Sequence, residues 1–235
     1  MNASFPDWLV VLSTTSLIVA GSCSVVVVFD EFRHPQKMWI MNLVWPLTTL
    51  FGGILWLAAY WIWGRADPGG SNKPSAPFPA AVLKGSSHCG AGCTLGDLIA
   101  EWVAYAFPGV AVIFGWHTLF DNKTFAVWVL DFVLAFMLGV GFQYFTIKPM
   151  RHLSVRAGLM AALKADIASI SAWQVGMYAL MAAIQFGWFR TTFGGLASVA
   201  SPEFWFAMQI AMLGGFATSY PVNWLLIRAG WKEEM

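Results

Sequence analysis

Long apolar runs constrain the fold of this chain more than any other feature of its sequence. A helix that crosses a bilayer needs about 20 mainly apolar residues. Six runs meet that requirement, over residues 8–29, 38–63, 94–120, 124–145, 167–188 and 204–227. Only 11% of the residues are charged, against about a quarter in soluble domains. The sequence therefore predicts an all-α, polytopic transmembrane helical bundle of about six spanning helices, surrounded by the lipid bilayer.

The connections between these runs divide the chain into three parts. Residues 1–63 are predicted to form an N-terminal two-helix hairpin. Residues 64–93, rich in Gly, Pro and Ser, are predicted to form a polar loop that ends in a His-Cys-x3-Cys segment. Residues 94–235 are then a four-helix membrane core, with a kink at Pro108. Residues 153–166 are expected either to lie at the membrane interface or to extend the fifth helix.

The distribution of Lys and Arg predicts an orientation. Six spans would place both termini on the same side as the 64–93 and 146–166 connections. That side would hold nine basic residues and the other side four. Cytoplasmic segments carry the excess of basic residues, so both termini are predicted to be cytoplasmic. The net charge of +1 gives no indication of a nucleic-acid partner.

Residues 86–101 concentrate thiol, imidazole and carboxyl groups in an otherwise apolar chain. Four of these residues follow a spacing of four and would share one face of a helix: Cys89, Cys93, Asp97 and Glu101. Two thiols beside His88 are ligands that Cu(I) or Zn(II) accepts. However, Thr94 and Asp97 resemble a capping box. That pattern predicts a helix beginning at Thr94, with both cysteines in a loop above its N-terminus, and leaves a purely structural helix start as the alternative.

Further polar groups lie inside or beside the other runs. They are Asp131, Gln143, Asp166, Gln174, Gln209 and Asn223. Ionisable groups within a membrane are costly and by default mark a pathway or a paired interior site, and a structural hydrogen-bonding role is the alternative. Gln143 adjoins a run of small residues, including Ala135 and Gly139, that predicts a helix-packing seam. We expect Gln143 to hydrogen-bond across that seam.

Methionines follow a helical spacing on the fifth and sixth runs: Met177 and Met181 on the fifth, Met208 and Met212 on the sixth. Thioethers are soft ligands that suit Cu(I). Methionine is also common filler in apolar helices, so the stripe by itself is compatible with packing alone. Its occurrence together with the thiols of residues 86–101 favours a role in metal binding.

Five stretches carry a resemblance to a known family: residues 33–38 with Asn42, Trp45 and Pro46, residues 88–93 with Asp97 and Glu101, and residues 142–145, 164–166 and 218–224. They resemble an uncharacterised bacterial membrane family, the domain of unknown function 4396. Together they touch nearly the whole chain. The resemblance implies a multi-pass protein of the bacterial inner membrane, and it brings no established activity.

The leading functional hypothesis is a membrane protein that binds or moves a soft transition metal, with copper as the first candidate and zinc as the alternative. His88, Cys89 and Cys93 would capture the ion, Asp97 and Glu101 would continue the path, and the four methionines would line it. The alternatives are a membrane thiol-redox enzyme or assembly factor, and a structural subunit of a larger membrane complex. The metal hypothesis predicts a metal donor as a partner, and the structural hypothesis predicts a partner within a membrane complex. The sequence holds no nucleotide-binding or haem-attachment motif, and it identifies no catalytic residue.

Overall fold

The computed structural model describes residues 4–66 and 76–233, which form helices joined by turns. The helices are α1 (Asp7–Arg33), α2 (Met41–Ala59), α3 (Phe78–Ala106), α4 (Gly109–Ile113), α5 (Lys123–Arg151), α6 (Val155–Ala182), α7 (Arg190–Phe193) and α8 (Pro202–Arg228). Two π-helical segments, Tyr60–Gly64 and Ala183–Phe189, continue α2 and α6. The predicted all-α bundle is confirmed, and residues 155–166 prove to be the first part of α6.

Five helical stretches of the described chain are long and apolar enough to cross a membrane. They are Asp7–Arg33, Met41–Gly64, Lys123–Arg151, Val155–Phe193 and Pro202–Arg228. Helix α3 has the same length as α5, 29 residues. It is not among the five, since its hydroxyl, imidazole and carboxyl groups lower its mean hydropathy. Length and composition thus indicate a multi-pass membrane protein.

The stretch Met41–Gly64 folds back on itself at Gly53. This glycine has φ 51° and ψ −132°, a conformation that a residue with a Cβ atom rarely adopts. The rings of Trp45 and Tyr60 lie edge to face with centroids 5.6 Å apart, although a straight helix would separate the two residues by about 22 Å. The stretch is therefore a helical hairpin that enters and leaves the bundle at the same end. The prediction of one span over residues 38–63, interrupted at Pro46 and at Gly52-Gly53, is wrong in this respect.

The hairpin changes where the ends of the described chain lie. Phe5 packs against Phe189 and Phe193, beyond the end of α6. Lys232 contacts Asp166, near the start of α6. Asp166 and Phe189 are separated by about 35 Å along the helix axis. The two described ends therefore lie at opposite ends of the bundle, and the prediction that both termini share one side is wrong. We call the end that contains Lys232 the basic end and the other the opposite end.

The segment predicted as a polar loop, residues 64–93, is largely helical. Helix α3 starts at Phe78 and continues to Ala106, while residues 67–75 lie outside the described residues. The small residues that suggested a loop are buried on this helix: Gly85, Ser86, Ser87, Gly90 and Gly92. In membrane proteins such residues let neighbouring helices approach closely. Helix α3 also ends before Pro108, so the predicted kink at that residue is instead a helix end.

The predicted small-residue seam joins α3 and α5. A Cβ atom on Gly92 would lie 2.7 Å from the Cα and N atoms of Gly139, and one on Gly96 would lie 2.7 Å from the N atom of Ala135. The obstructing atoms belong to the backbone, which cannot turn aside as a flexible side chain can. The seam therefore sets the antiparallel register of the two helices, and it brings Asp131 on α5 to the level of the carboxyl groups on α3.

Candidate functional site

Four titratable side chains occupy successive turns of α3 and form what we call the α3 ladder: Cys89, Cys93, Asp97 and Glu101. None of them is more than 5% exposed. Thr94, which was predicted to cap the helix, lies in its interior, where its hydroxyl donates to the Gly90 carbonyl at 2.7 Å. The predicted capping box is therefore wrong. The residues of the α3 ladder lie on one face of the helix, as their spacing of four predicts.

Cys89 belongs to a buried group of five polar residues that we call the basic-end cluster: Cys89, Asp166, Ser169, Asn223 and Lys232. The Cys89 thiol donates to Asp166 Oδ1 at 3.1 Å, and its Sγ lies 2.8 Å from Ser169 Oγ. The Lys232 ammonium donates to Cys89 Sγ at 3.1 Å and to Asp166 Oδ1 at 3.3 Å. It also donates to Asn223 Oδ1 at 2.7 Å. Asn223 Nδ2 donates to Ser169 Oγ at 2.7 Å, so every member contacts at least two others.

Lys232 supplies the positive charge of this cluster from the segment after α8. Its side chain and that of Asp166 are both 0% exposed. Burial lowers the pKa of Lys232, but Cys89 and Asp166 raise it by more, so the pKa lies above its ordinary value. The ammonium therefore compensates the Asp166 carboxylate, and a buried charge is tolerated when it is paired and hydrogen-bonded in this way.

Sequence reasoning missed two members of the cluster, Lys232 and Ser169. Lys232 lies in a short charged segment after the last apolar run, and Ser169 lies inside an apolar run. No periodicity connects either residue with Cys89, because they come together only when α3, α6 and the end of α8 pack. Asp166 and Asn223, by contrast, were predicted as interior polar residues, and the structure places both in this cluster.

Asp97, Glu101 and Asp131 form a second group, the carboxyl cluster. Asp97 is 1% exposed and Asp131 is 0% exposed. The carboxyl oxygens of these two residues have no hydrogen-bond partner among residues 4–66 and 76–233. The three groups lie close enough to interact electrostatically. Because buried like charges without counter-ions are unfavourable, bound protons or cations stabilise such a cluster.

The α3 ladder reaches a cavity near the opposite end of the bundle. This cavity has a volume of about 200 Å³, and Glu101, Lys123 and Gln185 contribute to its wall. Lys123 interacts electrostatically with Glu101 and donates to the Ala104 carbonyl at 2.6 Å. The ladder thus has a lysine near each end, with the carboxyl cluster between them.

Three further predicted polar residues are buried without a hydrogen bond to any described residue: His88, Gln143 and Gln174. Gln143 was expected to hydrogen-bond across the α3–α5 seam, and within the described part of the chain that prediction is wrong. The seam instead places Gln143 at the level of His88. Gln209 does make the structural bonds expected of an interior amide, accepting from the Ser16 hydroxyl and donating to the Leu50 carbonyl, each at 2.7 Å.

The four predicted methionines are buried, each at most 5% exposed. Met208 and Met212 line an apolar cavity of about 170 Å³ together with Asp97, and Met181 lines the Glu101 cavity. Met177 packs in the same core as the two cysteines of the ladder. Among the described residues, no group of three or more His, Cys, Asp or Glu side chains is arranged to hold a metal ion. Metal ligation by these residues stays a prediction.

A family model described as "Domain of unknown function (DUF4396)" matches residues 80–232. The match covers more than half of the chain and includes the α3 ladder and both clusters. The chain belongs to the DUF4396 family. Membership confirms the resemblance seen in the sequence, and the family description assigns no activity. Neither the curated proteins nor the solved structures gave a match to this DUF4396 chain.

Proposed function

We propose that this DUF4396 protein moves a cation through the bundle along the α3 ladder, and that the cation is the proton. The observation that carries the proposal is the row of buried titratable groups on one helix face. From Cys89 to Glu101 the ladder covers about 18 Å, more than half of a hydrocarbon core that is about 30 Å thick. Ionisable groups at such depth mark ion and proton pathways.

The spacing of the ladder suits transfer between neighbouring side chains. Residues four apart on a helix have Cβ atoms about 5–6 Å apart, a gap that side-chain rotation or one water molecule can bridge. Asp97 and Asp131 are buried without partners in the described part of the chain, so each is stabilised by binding a proton. Groups that hold a proton and have no competing hydrogen bond are suited to passing it on.

The soft-metal hypothesis stays within the same proposal as a second cargo. Asp97 lines one cavity with Met208 and Met212, an arrangement of one carboxyl and two thioethers that favours testing Cu(I) beside the proton. The thiol-redox and structural-subunit hypotheses stay predictions, as does the location in a bacterial inner membrane.

We further propose that the basic end faces the cytoplasm. With the hairpin at Gly53, most basic residues of the described chain gather at that end. They are Arg33, Lys37, Arg65, Lys84, Lys148, Arg151, Arg156, Lys164, Arg228 and Lys232. Only Lys123 and Arg190 among the described basic residues lie near the opposite end. This asymmetry is stronger than the nine against four expected from six straight spans, and cytoplasmic segments carry the basic excess.

Flux measurements in liposomes test the proposed function. Purified protein is reconstituted into vesicles that enclose a pH-sensitive dye, and a potassium diffusion potential drives protons inward. We expect flux above that of protein-free vesicles, reduced at least tenfold by Asp97→Asn or Asp131→Asn. Glu31→Gln is the matched control, because Glu31 is a buried carboxyl group on α1, outside the ladder, and should leave flux unchanged.

A parallel set of vesicles encloses a Cu(I)-sensitive dye. Copper entry that depends on Met208 and Met212 would identify the metal as the cargo instead of the proton. A wild-type flux equal to that of empty vesicles for both cations would refute the proposal, and so would flux that Asp97→Asn and Asp131→Asn leave unchanged.

A further inference from the structure

The segment after α8 is shaped to insert one side chain into the bundle. Gly230 has φ 68°, a left-handed conformation that reverses the chain direction at little cost only in glycine. The backbone N–H groups of Trp231 and Lys232 then both donate to the Leu226 carbonyl, at 2.9 and 3.3 Å. This turn directs the Lys232 side chain into the basic-end cluster, past Gly85, where a Cβ atom would lie 3.7 Å from Lys232 Cε, at ordinary contact distance.

Contacts with Arg151 and Lys164, nearer the surface, hold the same segment in place, and one of them is a hydrogen bond from Arg151 Nη2 to the Gly230 carbonyl at 3.4 Å. Arg151 forms an ion pair with Glu233, and the two side chains are 40% and 21% exposed. The Lys164 ammonium lies 4.2 Å from the centroid of the Trp231 ring. Exposed ion pairs and cation–π contacts are individually weak. The segment is therefore held firmly by its buried lysine and only loosely by what surrounds it.

The atoms around the ammonium make a cation site. Cys89 Sγ, Asp166 Oδ1 and Asn223 Oδ1 all lie within 3.3 Å of Lys232 Nζ. One sulfur and one carboxylate oxygen are ligands that zinc takes in proteins, and an amide oxygen adds a third donor. If the ammonium withdrew, the buried carboxylate would lose its counter-ion, which is unfavourable unless another cation replaces it.

We propose that residues 229–233 act as a gate, in which the Lys232 ammonium is a tethered cation that closes a binding site for a zinc-class divalent metal ion. Cys89, Asp166 and Asn223 form the site, and release of the segment opens it. Metal and lysine compete for the same three atoms, so metal binds only to molecules in which the gate is open. The apparent affinity for metal is therefore the affinity of the open site multiplied by the fraction of open molecules. The inference goes beyond proton movement, since a gated site can bind metal whether or not the ladder conducts.

Cadmium binding to the purified full chain in detergent tests the gate without any ion gradient. We compare the wild type, Lys232→Met and the double variant Cys89→Ser/Lys232→Met, following the ultraviolet absorption of the cadmium–thiolate bond. Lys232→Met should bind one Cd²⁺ at least tenfold more tightly than the wild type, and the double variant should lose both the absorption and the added affinity. A Kd for Lys232→Met within twofold of the wild type would overturn the proposal, as would an unchanged absorption in the double variant.

Variants of the surface contacts keep the test decisive if Lys232→Met does not fold. Glu233→Gln and Lys164→Gln leave every atom of the site in place and weaken only the contacts that hold the segment. Each should tighten Cd²⁺ binding about two- to fivefold. Lys37→Gln, a change of the same kind at the same end, should leave binding unchanged. Unaltered Kd values in both Glu233→Gln and Lys164→Gln would overturn the gate.

Discussion

Helix α3 contributes to both the basic-end cluster and the carboxyl cluster. Both clusters are buried, yet they differ in how their polar groups are satisfied. In the basic-end cluster, Lys232 compensates Asp166, and every member contacts at least two others. In the carboxyl cluster, Asp97 and Asp131 have no hydrogen-bond partner among the described residues. Asp166 Oδ2 is the one side-chain atom of the basic-end cluster without a hydrogen-bond partner among the described residues. The rest of this network is bonded and adds rigidity, whereas unpaired buried groups are costly. The first cluster therefore has the properties of a closed, structured site, and the second those of a place where protons bind and leave.

The largest expected effect is on the labelling of cysteines introduced at the two ends of the bundle. The three native cysteines are buried, so the wild type serves as the unlabelled control for single cysteines introduced by Ser4→Cys and Arg156→Cys. A membrane-impermeant maleimide should label Ser4→Cys from outside the cell and Arg156→Cys only in inverted vesicles, in each case nearly completely. Labelling of both variants from the same side would contradict the hairpin at Gly53 and the opposite location of the two ends.

Breaking the pair in the basic-end cluster should have the largest effect on stability. Asp166→Asn leaves the Lys232 ammonium buried without its counter-ion, which should lower the free energy of unfolding by about 3–5 kcal/mol. The measurement is denaturation in mixed micelles, followed by helix content. Adding Lys232→Met to Asp166→Asn removes the stranded charge and should restore part of the loss. A double variant no more stable than Asp166→Asn would argue against an ion pair as the source of stability.

The α3–α5 seam should be the next most sensitive feature, because it aligns the carboxyl groups of the two helices. In Gly92→Ala the new methyl group would meet the backbone of Gly139 at 2.7 Å, so we expect a loss of about 1–3 kcal/mol. Gly141→Ala is the matched control on α5, since nothing lies within 4 Å of a Cβ atom there. Equal stabilities for the two variants, measured by the same denaturation, would show that the helices are not in close contact at the seam.

The smallest effect on stability is expected in the carboxyl cluster, in contrast with the basic-end cluster. Asp131→Asn replaces a carboxyl group without partners by a neutral group of similar shape, so stability should change by about 1 kcal/mol or less. Proton flux, in contrast, should fall at least tenfold, as proposed above. A loss of stability as large as that of Asp166→Asn would mean that Asp131 carries a paired structural charge, and the distinction between the clusters would fail.

The sequence predicted the helices correctly in some parts of the chain and incorrectly in others. The runs that became α1, α5, α6 and α8 were recognisable because lipid contact requires long apolar segments. Helix α3 was mistaken for a loop over residues 78–93, because glycine and serine mark turns in water but close helix packing in a membrane. The hairpin at Gly53 was also missed, because an interruption at Gly52-Gly53 is compatible with one interrupted span as well as with a hairpin.

The sequence by itself determined that this chain is a helical membrane protein with thiols and carboxyl groups spaced four apart. That spacing is a local property, so it placed Cys89, Cys93, Asp97 and Glu101 on one face as soon as the segment was helical. Only the tertiary structure decided which residues each side chain of the α3 ladder contacts. Lys232 is 143 residues from Cys89 in the sequence, and no local pattern connects them. Their contact exists because α3, α6 and α8 converge and the chain turns at Gly230, and that convergence separates a charge-compensated site from an uncompensated one.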